Sequence, residues 1–547
     1  MNQPTMLCEL LARTPAESIA LEFGELRLSY AQLREQIESV AQGLRNQGLH
    51  AGDVLGIWLP NTPRWLVLHL ACASLGVSTL SLNLKLGVKE IASFIDRSGA
   101  KALAFDRRIV DAGASSAGPN ASDENQLSMV WQQHAGSLHW LLDASVDSLG
   151  QMARSRPNDT RAAPVWSDWN TLMHASPEGS EVKPDLSGWP CIILSSSGTT
   201  SLPKLIVHAQ SNIALHVQDV APGFDVQAGD RTLLALPMCG AFGYTAAMMT
   251  LAAGATLVLH EMFEPALAAR ALSEQPITHM FGTNDMVEKL IAPLPDDWRP
   301  RALKFVGHAN FVPGLDELPA RAQGLGMRMV GCFGMSEIFA LFAHQAVNAE
   351  LPRRAQSGGI PVTASVQVRA RNLETGTVCA TMEPGELEFR GPYMMKEYLG
   401  NPEATANAFT DDGFLRSGDL GYVNGDGGFT HISRLGDVLR IGGFLVNPAE
   451  IEEAVLAVSG ASACQVVAVQ AAGSSRPVAF VIVDGTQVVD EALIKDQLLR
   501  QIAKYKVPIR IIRMEGFPYT MGPNGKKVKR NELRDLAQSM LDKESTT

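Results

Sequence analysis

Six hydroxyl-bearing residues follow a short apolar stretch near the middle of the chain. Residues 192–204 read IILSSSGTTSLPK. Gly198 permits a backbone geometry that turns several N–H groups toward one anion, the hydroxyls donate further hydrogen bonds, and Lys204 adds a positive charge. These features suit a phosphate-binding loop, although the GxxxxGK[ST] motif is absent. A surface turn rich in serine and threonine explains the same composition, so both interpretations stay open at this point.

Two further segments combine glycine turns with a single carboxylate. Residues 331–337 read GCFGMSE, and residues 416–421 read RSGDLG. Glu337 has the chemistry of a ligand for a hard metal ion, and Asp419 that of an acceptor for ligand hydroxyls. Each carboxylate could equally satisfy backbone N–H groups of its own turn or of a helix start. Neither segment by itself decides between a binding site and an ordinary turn.

Two charged segments lie closer to the carboxyl end. Residues 434–443 read RLGDVLRIGG, and residues 524–530 read NGKKVKR. A charged loop between strands explains the first segment, and a solvated surface explains the short basic run of the second. Nucleic-acid binding through the basic run is not expected, because the chain has a net charge of −11 and repels a polyanion.

The composition describes a globular protein that is too long for a single core. The chain has 547 residues, of which 46% are hydrophobic and 19% charged. Because one core rarely exceeds about 250–300 residues, we expect two or more domains. The seven cysteines are scattered without a CxxC pair, which argues against a zinc ribbon or a disulfide framework. The chain shows no secretory signal, and we expect a cytoplasmic protein.

The longest apolar run covers residues 246–259 and includes glycine and threonine. It is shorter than the roughly 20 residues that a bilayer-spanning helix needs. We therefore expect no membrane span, and we predict a core helix that runs into a strand.

The hydrophobic pattern alternates between helical and strand periods over most of the chain. The predicted helices cover residues 28–47, 65–75, 448–458 and 490–504. The predicted strands lie near residues 54–59, 101–105, 231–236, 256–260, 303–306, 464–470 and 478–483. Strands separated by helices indicate parallel sheets of an α/β fold. Residues 111–128 are predicted to form a surface loop, and the pattern changes to hairpins from Gly385.

In their order along the chain, the five segments resemble the motifs of the adenylate-forming superfamily. This superfamily includes acyl-CoA synthetases, peptide-synthetase adenylation domains and luciferases, and the resemblance extends over residues 19–533. It implies an α/β fold with a large N-terminal domain, residues 1–436, made of αβ-layered subdomains plus a β-rich subdomain. A small mobile α+β C-terminal domain, residues 437–547, would carry the catalytic lysine.

The resemblance assigns an ATP-binding role to most of the singled-out residues. The residues implied to contact the phosphates are Ser196, Ser197, Gly198, Thr199, Thr200 and Lys204. In the second segment, Phe333 would stack on adenine next to Gly334, Ser336 would touch phosphate, and Glu337 would hold Mg²⁺ and take part in catalysis.

The remaining segments would bind the ribose and complete catalysis. Asp419 and Arg434 match the ribose-binding pair, and Asp437 matches the hinge about which the small domain turns. Lys527 matches the catalytic lysine; it is preferred to Lys526 by counting back from RNELR at residues 530–534. Lysine and Mg²⁺ would stabilise the charge that builds up when a carboxylate attacks the α-phosphate.

Small residues at the expected acyl pocket predict room for an apolar acyl group. They are Gly240, Gly282, Gly307, Ala309 and Gly331. The family's frequent histidine or asparagine is a glycine here, at Gly240, so we expect no hydrogen bond from that site to a ring hydroxyl. The family's amino-acid-recognising aspartate is also missing, which disfavours an amino-acid substrate. Other departures from the family pattern are Ser201, Leu205 and Gly436, where glycine, glycine and lysine are usual.

The resemblance implies an AMP-forming acyl-CoA synthetase that uses ATP, Mg²⁺ and coenzyme A. The acid would be medium-chain aliphatic or aromatic, and the enzyme a monomer or homodimer. In the alternative, the acyl group passes to the phosphopantetheine of a separate carrier protein. A nonenzymatic nucleotide sensor is disfavoured, because it would be expected to lose Glu337 or Lys527, and both are present.

Overall fold

The computed structural model describes most of the chain. The described residues are 5–84, 86, 88–106, 108, 138–145, 165–174, 185–195, 203–312, 315–435, 439–441, 444–446, 448–471, 474–483, 489–522 and 525–545. The predicted loop at residues 111–128 and the predicted hinge residue Asp437 lie outside these ranges. No helix within the described ranges has both the length and the apolar character needed to cross a membrane.

The strands of the first part of the chain run from β1 to β14 in chain order. They are β1 (Ile19–Phe23), β2 (Leu26–Ser29), β3 (Val54–Trp58), β4 (Ser78–Ser81), β5 (Ala102–Phe105), β6 (Trp140–Asp143), β7 (Val165–Asp168), β8 (Pro190–Ser195), β9 (Leu205–Ala209), β10 (Arg231–Leu234), β11 (Thr256–Leu259), β12 (His279–Thr283), β13 (Phe305–Ala309) and β14 (Met329–Met335).

The later strands follow in the same way. They are β15 (Phe339–His344), β16 (Gly358–Pro361), β17 (Gln367–Arg371), β18 (Gly385–Arg390), β19 (Glu397–Tyr398), β20 (Leu415–Val423), β21 (Phe429–Arg434), β22 (Leu439–Ile441), β23 (Phe444–Val446), β24 (Ala463–Ala471), β25 (Ser474–Ile482), β26 (Arg510–Arg513), β27 (Tyr519–Gly522) and β28 (Gly525–Val528).

The helices connect and cover these strands. They are α1 (Leu7–Ala12), α2 (Tyr30–Asn46), α3 (Pro63–Leu75), α4 (Val88–Ser98), α5 (Trp169–Met173), α6 (Gln210–Gly223), α7 (Ala241–Ala252), α8 (Pro265–Glu274), α9 (Asn284–Ile291), α10 (Leu318–Gly324), α11 (Pro402–Ala408), α12 (Pro448–Ser459), α13 (Glu491–Leu498) and α14 (Arg530–Ser545). Short 3₁₀ turns lie at Arg353–Ala355 and Lys504–Lys506.

Two large sheets make up the amino-terminal part. An eight-stranded sheet has the order β19-β9-β8-β4-β3-β5-β6-β7, and β8, β4, β3, β5, β6 and β7 run parallel. The second sheet has thirteen strands. Its β11, β10, β12, β13 and β14 are parallel, whereas β15, β16, β21, β20, β18 and β17 continue it as antiparallel neighbours. The predicted αβ-layered and β-rich parts are therefore both confirmed.

The carboxyl-terminal part has a core of its own. Strands β24, β25 and β26 form a small sheet, on which α12 and α14 pack. Its buried side chains, among them Ile451, Val466 and Leu498, contact one another in one cluster, and Phe480 and Leu533 belong to a second cluster. This confirms the predicted small α+β part, while the boundary at residues 436 and 437 and the mobility of this part stay predictions.

Local chemistry explains where several predicted helices begin and end. The helix predicted from residue 28 starts at Tyr30, because the Ser29 hydroxyl accepts a hydrogen bond from the Gln32 N–H and the Gln32 side chain accepts one from the Ser29 N–H. The helix at Pro63–Leu75 ends at Gly76, whose φ of 72° favours glycine.

The apolar run at residues 246–259 is, as predicted, a helix followed by a strand, α7 and β11. The helix predicted over residues 490–504 is wrong at its carboxyl end. The helix stops at Leu498, whose side chain is buried, and the side chain of the next residue, Leu499, is exposed.

Candidate active site

The ends of three strands surround a cavity between the two large sheets. It encloses about 90 Å³. Ser195 ends β8, Ala309 ends β13, and Phe333 lies near the end of β14; all three line the cavity. Gly240, the N-cap residue of α7, also lines it. Clefts at the carboxyl ends of parallel strands are the usual ligand sites of α/β proteins, so this cavity is the first candidate for the substrate site.

The predicted phosphate-binding loop joins two neighbouring antiparallel strands. In the register of β8 and β9, Ser195 lies opposite Leu205, so the loop leaves and re-enters the sheet at one place. The predicted phosphate contacts Ser196, Ser197, Gly198, Thr199 and Thr200 lie outside the described residues, and their roles stay predictions. Lys204 is described at the exit of the loop.

Lys204 and Glu337 meet at a shared tyrosine. The Lys204 Nζ lies 4.3 Å from the centroid of the Tyr398 ring, a cation–π distance. The hydroxyl of the same tyrosine donates a hydrogen bond of 2.9 Å to Glu337 Oε1. Tyr398 stands on β19, which pairs with β9 directly after Lys204. The fold therefore brings Lys204 and Glu337 to the same side chain: Lys204 contacts the Tyr398 ring, and Glu337 accepts from its hydroxyl.

The environment of Tyr398 keeps its hydroxyl protonated. Burial raises the pKa of Tyr398, and the neighbouring Glu337 carboxylate raises it further. The phenol is therefore a hydrogen-bond donor at any ordinary pH. Glu337 Oε2 accepts no hydrogen bond from the described residues. A carboxylate that is oriented by a hydrogen bond to one oxygen, and whose other oxygen can bind a metal ion, is a suitable Mg²⁺ ligand.

The rest of the GCFGMSE segment forms a tight turn between β14 and β15. Phe333 lines the cavity, and its ring packs against those of Phe342, Phe389 and Phe429. A Cβ on Gly334 would lie 2.3 Å from the Ala340 Cα, so only glycine fits there. The predicted adenine-stacking and phosphate-contacting residues thus border the cavity, and Ser336 is among its lining residues.

Buried histidines hold this turn in an unusual backbone shape. The His208 Nε2–H donates to the Ser336 carbonyl at 2.7 Å, and the His216 Nε2–H donates to the Ala340 carbonyl at 2.8 Å. Phe339, whose φ is 63°, stacks on the His208 ring at 3.8 Å. A positive φ is costly for a bulky residue and persists only when surrounding contacts impose it. Burial lowers the pKa of His208 to about 4, so the imidazole is neutral near pH 7.

The two residues predicted to bind ribose contact each other, and their role toward ribose stays a prediction. Asp419 on β20 and Arg434 on β21 lie opposite each other in the sheet register, and the Arg434 Nε is 3.0 Å from Asp419 Oδ1. The His431 Nε2 lies 3.5 Å from the same oxygen. Asp419 is only 2% exposed, and this small opening limits access to its carboxylate.

The predicted adenine and ribose sites adjoin. The His431 ring lies 5.3 Å from the Phe333 ring and also approaches Asp419. One imidazole therefore bridges the two segments, although they are separated by about 80 residues of sequence. His431 therefore contacts both the ring that is predicted to stack on adenine and the carboxylate that is predicted to bind ribose.

The five predicted acyl-pocket residues divide into two groups. Gly240 and Ala309 line the cavity, whereas the other three are not among its described lining residues. A Cβ on Gly331 would lie 1.9 Å from the Gln356 carbonyl oxygen, and one on Gly307 would lie 2.6 Å from the Phe281 ring. Gly282 faces Met286 at 3.7 Å. The small size of Gly307 and Gly331 is thus explained by neighbouring chain and side-chain packing.

Lys527 lies on a two-stranded hairpin of the carboxyl-terminal part. In the β27–β28 register it stands opposite Thr520. Its catalytic role and the hinge role of Asp437 stay predictions. Among the described residues, no group of three or more His, Cys, Asp or Glu side chains is placed to hold a metal ion.

Sequence reasoning missed three residues that the fold brings to the site. Tyr398 bonds Glu337, His208 fixes the Ser336 turn, and His431 adjoins Asp419. None of them belongs to a glycine-rich or charged segment. Only His431 could have been found from the sequence, because it lies on the strand that ends at the predicted ribose-binding residue Arg434.

Comparison with known proteins agrees with this geometry. A family model described as AMP-binding enzyme matches residues 9–399, and one described as AMP-binding enzyme C-terminal domain matches residues 450–526. Feruloyl-CoA synthase of Amycolatopsis sp is 28% identical over 532 residues, covering 96% of each chain. The 2-succinylbenzoate–CoA ligase of Bacillus licheniformis is 26% identical over 512 residues, covering 93% of this chain and 95% of the relative.

A solved structure supports the fold over the whole length. ATP-bound MatB from Rhodopseudomonas palustris has a TM-score of 0.80 to this chain at 23% identity, covering 99% of this chain and 100% of that chain. The likeness extends through both the amino-terminal and the carboxyl-terminal parts. Since the first family model alone matches well over half of its residues, the chain belongs to the AMP-binding enzyme family.

Proposed function

We propose that this enzyme joins a carboxylic acid to the AMP portion of ATP, releases pyrophosphate, and then transfers the acyl group to the thiol of coenzyme A. The observation that carries the proposal is the meeting of Lys204 and Glu337 at Tyr398, at the exit of the hydroxyl-rich loop. Family membership and the CoA ligases among the relatives support the same reaction.

The first step requires that two anions react. The carboxylate oxygen attacks the α-phosphorus, the bond from that phosphorus to the bridging oxygen breaks, and pyrophosphate leaves. When bound, Mg²⁺ would neutralise phosphate charge, and Glu337 would hold it. Lys204 would offset the charge of the phosphates, while Asp419 would accept hydrogen bonds from the ribose hydroxyls. Positioning of the two reactants supplies much of the remaining rate.

In the second step, the thiolate of coenzyme A attacks the acyl carbon and AMP leaves. Lys527 would act in the first step alone and move away as the carboxyl-terminal part turns. The acid would be aromatic or medium-chain aliphatic, because the small residues Gly240 and Ala309 line the cavity and leave room for an apolar acyl group. None of the seven cysteines is joined in a disulfide, which supports a reducing, cytoplasmic location.

The proposal is tested by pyrophosphate release from ATP and Mg²⁺ over a panel of acids, with and without coenzyme A. We expect release that requires one acid class and turns over many times only with coenzyme A. Release that stops near a single turnover despite coenzyme A would indicate that a carrier protein is the acceptor. No acid-dependent release would contradict the adenylation itself.

Lys527→Ala separates the two steps. We expect a loss of about a hundredfold or more in adenylation, typical for removal of a charge that stabilises the transition state, with acyl transfer from preformed acyl-AMP little changed. Lys526→Ala, one position away on the same strand, is the matched control. Equal losses in both steps, or a larger loss in the control, would show that Lys527 is not the catalytic lysine.

A further inference from the structure

Part of the cavity wall is apolar, and none of its described residues carries a charge. Phe242, Phe311, Met335 and Leu341 contribute side chains, and the described lining residues include no carboxylate, ammonium, guanidinium or imidazole group. A second charged group held inside the cavity would therefore meet no charged partner among these described lining residues, which is strongly unfavourable.

One wall residue differs from the others. Phe311 is 51% exposed although it lines the cavity, so its ring forms part of the cavity's edge toward solvent. An exposed aromatic ring gains free energy when a ligand covers it. A bound substrate is therefore able to cover the exposed part of the Phe311 ring.

The backbone that carries Phe311 is held in place by a buried amide. Asn284, which is 4% exposed, opens α9 directly after β12. Its Oδ1 accepts hydrogen bonds of 3.1 Å from the Phe311 and Val312 N–H groups, and its Nδ2–H donates to the Val312 carbonyl. The exposed ring thus stands on a fixed segment at the end of β13, which makes it a defined binding surface.

We propose that Phe311 is the outer wall of the acyl site, and that it selects a flat, aromatic acid without a second charge. This inference rests on the proposed function and specifies its substrate class. The aryl ring of the acid stacks against Phe311, while its carboxylate points toward Ser195, which also lines the cavity. Asn284 is a positioning residue, since it acts by fixing the segment that carries the ring.

Matched acids test the substrate class on the wild-type enzyme. Benzoate and cyclohexanecarboxylate differ in flatness and aromaticity, benzoate and terephthalate differ by one carboxylate, and dodecanoate tests length. We expect kcat/KM for benzoate to exceed that for cyclohexanecarboxylate about two- to tenfold, the worth of an aromatic contact. We expect terephthalate to be at least about a hundredfold poorer, because of its second charge. We also expect dodecanoate to be poorer than benzoate, because its chain has no flat ring to stack on Phe311.

Substitutions test the role of the ring. Phe311→Ala should raise KM for benzoate about tenfold, while kcat and the KM for ATP change little. The same substitution should abolish the preference for benzoate over cyclohexanecarboxylate. Phe311→Tyr should keep the preference, because the ring remains. Val312→Ala, which shortens the exposed neighbour outside the cavity lining, is the matched control and should behave as wild type. Because Phe311 is half exposed, its truncation should not impair folding.

The outcomes separate this inference from the proposed function. If no acid supports pyrophosphate release, both are wrong. If a dicarboxylate or dodecanoate is the best substrate, adenylation stands and the aromatic-acid inference is overturned. If Phe311→Ala keeps the full benzoate preference, or if Val312→Ala loses as much as Phe311→Ala, Phe311 is not the selecting wall.

Discussion

Tyr398→Phe removes a single oxygen atom from the centre of the site. The ring that carries the Lys204 contact at 4.3 Å remains, whereas the 2.9 Å hydrogen bond to Glu337 Oε1 is lost. A hydrogen bond to a charged group contributes about 1.5–3 kcal/mol. At 1.4 kcal/mol per factor of ten, this corresponds to about a 10- to 150-fold effect.

The effect should appear in the Mg²⁺ dependence. Partners that orient a metal-binding carboxylate typically change metal affinity or activity about 10- to 100-fold when they are removed. We therefore expect the Mg²⁺ concentration for half-maximal pyrophosphate release to rise about tenfold or more in Tyr398→Phe. The assay is a MgCl₂ titration at saturating ATP and acid, with Glu337→Gln as the variant that removes the carboxylate charge itself.

The chain offers a matched control five residues away. The Tyr393 hydroxyl donates to Asp219 Oδ2 at 3.2 Å, which is the same kind of bond on a buried tyrosine outside the cavity lining. Tyr393→Phe should lower the thermal stability without changing the Mg²⁺ requirement. An unchanged Mg²⁺ titration in Tyr398→Phe, or an equal shift in both variants, would refute the orienting role of Tyr398.

Three further predictions concern the nucleotide site and the turns around it. Asp419→Asn should raise KM for ATP about tenfold or more, because its acceptor charge is lost; Asp412→Asn, on an exposed ion pair, should leave KM for ATP unchanged. Burial lowers the pKa of His208 to about 4, below its unfolded value of about 6.5, so the unfolded state binds more protons between these values. Stability is complete above about pH 6.5 and falls toward pH 4. His208→Gln should reduce that fall by up to about 3 kcal/mol in urea unfolding measured at each pH; an unchanged pH slope would contradict the assignment. Gly331→Ala should destabilise the fold by about 2 kcal/mol or more, because its Cβ would meet the Gln356 carbonyl at 1.9 Å; an unchanged urea midpoint would contradict that close approach.

Features encoded by neighbouring residues were predictable from the sequence. The strand that leads into the hydroxyl-rich loop, the helix and strand at residues 246–259, and the hairpins after Gly385 follow from short-range periodicity and turn residues. The resemblance of five ordered segments to the adenylate-forming superfamily led to the family that the comparisons confirm. At Gly307 and Gly331 the structure shows close neighbours in the chain, and sequence does not distinguish such close packing from room for a ligand; the acyl-pocket role of both residues stays a prediction.

The sequence by itself determined the elements, the family and the residue types available for chemistry, because each depends on residues that are near one another in the chain. Only the tertiary structure decided which side chains act together. Tyr398 meets Glu337 across 61 residues, and His208 meets Ser336 across 128. Such pairs carry no local pattern, since they are created by strands that become neighbours only when the sheets form.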